Sequence, residues 1–343
     1  MLVVSYMYCE RTDNMDSFIF AISAVAPIVL MVALGYFLKR IGMIPDSFAT
    51  AGNKLVFRIF MPVMLFLKIY RIEDLSGINL TFIIFAACAL LVVFAAAVPL
   101  SFVVARRKDR RGVLVQASFR SGYSLIGIPL AQSLYGEEGA MAAALLSAAV
   151  IPLFNVLAVV SLSALGNDSG ERVSIKRIVL GIIKNPLIIG IFSGLVAIGI
   201  RTVLAHFDIS FRLAQVSPVM EVLQYVGSLA IPLALLVLGA QFELSAVSEL
   251  KQEIFFGVVM RCAIVPILAL GIAYIFFRGD LGKAEFAAYA SLFATPVAVP
   301  SVPMVQEMNG DVTLAGQLVV WSTLVGALSI FLAAFLLRLG GAL

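Results

Sequence analysis

Two stretches of this chain are apolar enough to lie in a membrane yet carry residues that could do chemistry. The first, SFRSGYSLIGIPLAQSLYG from Ser118 to Gly136, holds Arg120, the hydroxyls of Ser121, Tyr123 and Ser124, Gly122, the amide of Gln132, and the helix-disrupting pair Gly127 and Pro129. The second, FATPVAVPSVPMVQEMNG, holds Thr295, Pro296, Pro300, Ser301, Pro303 and Gln306. Interrupted backbone at membrane depth is tolerated only inside protein or beside a water-filled cavity, because unsatisfied N–H and C=O groups are costly in lipid. Proline interrupts a helix but suits its first position, so Gly127 and Pro129 predict the end of one half-helix and the start of another. The prolines of the second stretch exclude a continuous helix there. Two half-helix N-termini meeting near the membrane midplane each offer about half a positive charge and free N–H donors, which is the chemistry of anion binding.

Further polar residues are positioned to assist. Asn155, in IPLFN, lies well inside an apolar span and predicts a bond to the interrupted segment or to a neighbouring helix. Gln132 and Gln306 each stand one helical turn past a proline, facing either a ligand or another helix. Arg120 precedes Gly127 by about 10 Å of helix, between the membrane surface and the expected break, where it either draws an anion inward or snorkels to the interface. Arg58 shares a helix face with Lys54 and is a weaker candidate for anion attraction, as are Arg261 and Lys184. Glu243 and Glu307 are the acidic residues nearest span interiors and the first to test for proton coupling, whereas His206 falls in an outer joint. One histidine, no cysteine spacing suited to a metal, and no nucleophile beside a base leave little from which to build an enzyme, so no enzymatic activity, metal or cofactor is expected.

The elements that must hold these residues follow from composition. Of 343 residues 62% are hydrophobic and only 13% charged, half the usual charged share, so the chain is an all-α integral membrane protein. Ten apolar stretches are expected, at about 17–38, 52–70, 80–105, 112–136, 139–165, 180–202, 220–242, 254–277, 284–308 and 312–338. Residues 1–16 form a tail, with Met15 an alternative start, 166–179 a linker, and 339–343 a C-terminal tail. Placing the N-terminus outside puts Lys39, Arg40, Arg106, Arg107, Lys108, Arg110, Arg111, Arg172, Lys176, Arg177 and Lys251 in cytoplasmic joints, against Arg71, Arg201, Arg212, Arg278 and Lys283 opposite. This asymmetry predicts an inner-membrane protein with both termini outside the cytoplasm, and explains the positive net charge without nucleic acid.

Ten spans divide into two halves, 17–165 and 180–338. Pro62 and Pro129 fall in the second and fourth spans, Pro232 and Pro303 in the seventh and ninth, and each of Pro129 and Pro303 is followed by Gln at the third and Gly at the seventh position. Five spans per half invert one half relative to the other, so the expected architecture is an inverted repeat whose broken fourth and ninth helices cross at the midplane. Gly190 and Gly194 form a GxxxG pair that permits close helix contact within the fold or at a homodimer interface.

The segments NKLVFRIFMP, FRSGYSLIGIPLA, IPLFN, KNPLIIG, IPLALLVLGA and ATPVAVPSVPM, in this order over nearly the whole chain, resemble the auxin efflux carrier family. The resemblance implies the ten-helix fold shared with sodium/bile-acid symporters, a scaffold part and a transport part moving against each other, and substrates such as auxin or dicarboxylates. Members commonly carry Asn where this chain has Gly122, so hydroxyls of Ser121, Tyr123 and Ser124 are the donors left at that point. The expected activity is secondary transport of a small mono- or dicarboxylate by alternating access, coupled to protons or sodium. A sodium-coupled symporter of bile-acid-like anions is the alternative, and a channel is disfavoured by the lack of a ring of like residues.

Overall fold

The computed structural model describes residues 2–71, 79–166, 175–207, 213–277 and 279–342, with side chains described for 19–71, 79–166, 179–207, 213, 215–277 and 279–342. We number its helices α1 (Leu2–Arg40), α2 (Asp46–Tyr70), α3 (Leu80–Val104), α4 (Lys108–Phe119), α5 (Tyr123–Leu165), α6 (Ile175–Ile183), α7 (Pro186–His206), α8 (Ser217–Ala240), α9 (Ala246–Phe276), α10 (Lys283–Ala294), α11 (Ser301–Glu307) and α12 (Val312–Leu339). Among the described residues the only β pairing is one isolated bridge, so the all-helical expectation holds. Most of the linker expected at 166–179, and Arg172, Arg212 and Arg278 of the basic residues that orient the chain, lie outside the described residues.

Eight of these helices are long and apolar enough to cross a membrane: α1 from Ile19 onward, α2, α3, α5, α7, α8, α9 and α12. Ten apolar stretches become eight such helices for a physical reason. The fourth stretch is divided between α4 and the start of α5, and the ninth between α10 and α11, so neither is one helix of spanning length. Helix α5 itself turns sharply at Tyr135 and Gly136, where Gly136 has φ 57°, a conformation that side chains with a Cβ avoid.

The first break does not fall where the prolines suggest. Three π-helical turns, Val56–Phe60, Tyr123–Gly127 and Met260–Ile264, each end two residues before a proline, Pro62, Pro129 and Pro266. A proline ring clashes with the carbonyl four residues back and offers no N–H to it, and a widened turn absorbs both defects without ending the helix. Pro129 therefore lies inside α5, and so does Gly127, which is glycine because a Cβ there would overlap the Tyr123 ring. The backbone opens earlier, at Arg120 (φ −82°, ψ 97°) and Gly122 (φ −71°, ψ 32°). The second break runs as expected from Thr295 (φ −79°, ψ 150°) to Pro300, and Pro303 is the third residue of α11, where a helix has no use for the N–H.

The two breaks meet. Ser121 and Val297 form an antiparallel bridge, Gly122 N donates to Pro296 O at 2.8 Å, and Ala298 N donates to Arg120 O at 3.1 Å. Helices α4 and α10 end at this point and α5 and α11 begin there, which leaves last-turn carbonyls of two helices buried together. Arg261, on the π turn of α9 and fully buried, serves both. Its guanidinium donates to Ser118 O (3.3 Å) and Phe119 O (3.4 Å) of α4 and to Leu292 O (2.9 Å), Phe293 O (3.2 Å) and Thr295 O (2.8 Å) at the end of α10. A cation at two helix C-termini also meets the negative ends of both dipoles.

At the opposite end of α4, Arg110 of the basic run is buried rather than solvated. It pairs with Glu249 (2.6 Å) and Glu253 (3.0 Å) of α9 and with Asp311 (2.9 Å), which caps α12, so one residue of the orienting charge cluster fastens three helices. The GxxxG pair is used within the chain: a Cβ on Gly190 would overlap the backbone of Pro62, and one on Gly194 would come within 2.8 Å of the Ile69 side chain, both on α2.

Arg261→Gln is expected to lower stability by about 3–5 kcal/mol, since each buried carbonyl left without a donor costs about 1–3 kcal/mol and glutamine can still serve some of the five. Arg261→Lys, with three donors for five carbonyls, should fall in between. Thermal melts of the purified protein followed through Trp321 fluorescence read this out, with Arg107→Ala, at the solvent-exposed pair with Asp109, as a control worth about 0–1 kcal/mol; melts identical to wild type would remove Arg261 from this role. Gly190→Val should cost about 1–3 kcal/mol by overpacking, and equally at all protein concentrations, since the contact lies within one chain.

Candidate functional site

Beside the crossing lies a cavity of about 40 Å³. Its polar wall is Arg120, Ser121, Ser124 and Asn155; Met61 and Met64 of α2 and Pro300 close it with apolar surface. At about 10–15 Å³ per water, it has room for roughly three waters or one carboxylate-sized group.

Arg120 dominates this wall. It sits at the break itself, 4% exposed, and not between the break and the surface as its distance from Gly127 suggests. The guanidinium donates to Asn155 Oδ1 (2.9 Å) and Met304 Sδ (2.9 Å), and no carboxylate among the described residues lies within ion-pair distance. Asn155 is fixed in turn by donating from Nδ2 to Ile151 O at 2.8 Å. A buried cation held only by neutral acceptors is costly. Ser121 Oγ lines the cavity, and Ser301 Oγ lies at the start of α11; both are buried and without a hydrogen-bond partner.

The remaining expected residues divide by position. Gly122 and Pro296 hold the backbone pairing, and a Cβ on Gly122 would meet Pro296 O at an ordinary 3.5 Å, so the position has room for a side chain. Tyr123 lines the cavity with its ring, but its hydroxyl is turned to Ala143 O (3.1 Å) and Ala288 O (3.4 Å) and offers nothing to a ligand. Thr295 bonds Ser291 O through its hydroxyl and Arg261 through its carbonyl. Gly127 and Pro129 lie inside α5 and Pro303 inside α11, and none of the three lines the cavity. Gln132 is exposed and bonds Glu137 at 2.6 Å, away from the crossing. Gln306 lies at the far end of α11, where Asn53 Nδ2 donates to it (2.5 Å) and to Gln241 (2.8 Å). Arg58 is largely exposed and paired with Glu307 at 2.7 Å, so neither is at the cavity. Glu243 and His206 are exposed.

Two further cations stand near the crossing. Arg261, weighed in the sequence only for anion attraction, is buried behind the crossing and committed to helix-end carbonyls. Lys68, on α2 one turn beyond Met64, is half-buried and donates to Ser124 O at 3.2 Å; standing near a span end, it looks in sequence like an interfacial lysine. Asn53 and Gln241 carry no sequence signal, since their partner Gln306 is distant in the chain.

A family described as membrane transport protein matches residues 20–333. An uncharacterized transporter of Methanothermobacter thermautotrophicus is 25% identical over 313 residues, covering 89% of this chain and 95% of the relative. An uncharacterized transporter of Methanocaldococcus jannaschii is 28% identical over 239 residues, covering 68% of this chain and 71% of the relative. The matched region takes in both breaks, the cavity and Arg261, and bears out the resemblance to the auxin efflux carriers. The chain belongs to the membrane transport protein family.

Proposed function

We propose that this transporter carries a small organic anion, a mono- or dicarboxylate, across the cytoplasmic membrane by alternating access, and that the anion's carboxylate binds Arg120 at the crossing. The observation that carries this reading is the buried guanidinium without a carboxylate partner, beside a cavity into which Ser121 brings an unpaired hydroxyl. With Arg261 committed to the C-terminal carbonyls of α4 and α10, the groups left facing the cavity are a cation, hydroxyls and the start of α5, all favourable to negative charge. A cation beside the cavity also speaks against a sodium site in the same space.

In this reading the chain crosses the bilayer ten times as two inverted five-helix repeats, counting α4 with the start of α5 and α10 with α11 as the broken spans. The excess of Lys and Arg in alternate joints supports both termini outside the cytoplasm. On the side of the cavity where α11 ends, Asn53 and Gln241 bond Gln306, and Arg58 pairs with Glu307. These contacts join α2 and α8 to α11, and they separate when the site opens to that side.

Arg120→Gln is expected to weaken anion binding about 10–100-fold, the worth of a charged hydrogen bond, with Arg120→Lys retaining part of it. Thermal shift of the purified protein against indole and aliphatic carboxylates, followed by uptake into proteoliposomes with and without sodium and at two pH values, measures binding, transport and coupling ion separately. Undiminished carboxylate binding and uptake in a folded Arg120→Gln protein would falsify this assignment. Pro129→Ala, inside α5, should keep transport. Gly122→Asn has space and should melt within about 1 kcal/mol of wild type, as surface-compatible changes do, while altering which carboxylate gives the largest shift.

A further inference from the structure

A second and larger cavity, of about 440 Å³, lies between α9 and α12, with Cys262, Leu270 and Gly271 on one wall and Ser329 and Ala333 on the other. It is separate from the crossing cavity. Ile267, Leu332 and Leu336 at its edge are exposed, on two helices whose length and composition suit a membrane, so its mouth opens into hydrocarbon. An apolar cavity of about 150 Å³ stays dry and takes up a benzene-sized molecule, and this one is roughly three times as large. Its walls are apolar apart from the Tyr274 hydroxyl, which donates to Gly340 O at 2.9 Å, and the buried Ser329 hydroxyl, which has no partner. No charge lines it, so a phospholipid headgroup finds no partner inside, while a hydrocarbon chain recovers the dispersion contacts that an empty space forfeits.

We propose that this cavity binds one hydrocarbon chain of a membrane phospholipid and that its occupancy steadies the crossing. Cys262 connects the two. It lines the cavity, it follows Arg261 in sequence, and its Sγ donates to Ser322 O at 3.5 Å. Ser322 Oγ in turn accepts the N–H of Val297, the residue bridged to Ser121, at 3.1 Å. A chain seated against Cys262 therefore presses on a path of three contacts that ends in the paired breaks, and an empty cavity leaves that wall unsupported.

Gly271 lines the cavity, and a Cβ there meets nothing within 4 Å, so Gly271→Phe places a ring into this space. Gly199→Phe, on α7 and equally unobstructed, is the matched control. Delipidated protein in detergent would be titrated with dioleoylphosphatidylglycerol and followed by native mass spectrometry and thermal melts. Wild type and Gly199→Phe should retain one phospholipid per chain with a raised melting temperature, and Gly271→Phe should bind it at least tenfold more weakly. Equal retention by Gly271→Phe, or no retained lipid in wild type, would overturn the proposal. Should Gly271→Phe fail to fold, Ser329→Leu fills the same space from α12 and is held to the same outcome. None of these readouts depends on carboxylate transport.

Discussion

Everything at the centre of this transporter depends on how two interrupted helices are kept from unravelling where they meet. Four helix ends converge there, and unsatisfied carbonyls in a membrane interior are among the costliest defects a fold can carry. Arg261 removes that defect with one side chain, because a planar guanidinium with five N–H donors can serve several carbonyls at once, which a lysine cannot. Its bonds to α4 and α10 make the two breaks a single unit, and the bridge between Ser121 and Val297 fixes their register.

The consequence is a separation of charge roles within a small volume. Arg261 faces the negative ends of two dipoles and is fully engaged, whereas Arg120 has one amide and one thioether. Two buried arginines therefore differ in the only respect that matters to a ligand, which is whether protein acceptors already answer the charge. The same residue type in neighbouring apolar spans supplies a cap for helix-end carbonyls in one case and a guanidinium with two neutral acceptors in the other.

Much of this could be read from the sequence, and the misses share a cause. Composition gave the helical membrane class, proline-rich interruptions gave the two stretches that meet, and an amide at Asn155 too costly to leave bare gave a partner of Arg120. The first break does not fall at a proline, because a proline announces a backbone defect without saying how it is resolved. A π turn ahead of Pro129 absorbs the defect, and the chain opens at Arg120 to Gly122, where no proline stands. Gln132 lies away from the crossing because the matching spacing of Gln after Pro129 and Pro303 carries over only if both prolines begin their helices. Arg261 and the cluster of Asn53, Gln241 and Gln306 depend on partners far off in the chain, which local patterns do not report.

The placement of the three π turns adds a physical reason for their recurrence. Each precedes a proline, on α2, α5 and α9, and each holds residues that face the centre or its supports: Arg58 beside Glu307, Tyr123 beside the cavity, and Arg261 behind it. A widened turn rotates the side chains that follow it relative to those before it, so a proline defect re-aims one part of a helix while its hydrogen bonding continues. In α9 this lets a helix whose outer part faces lipid turn Arg261 wholly inward. The prolines of these helices thus act at a distance of a few residues, through the turn that accommodates them.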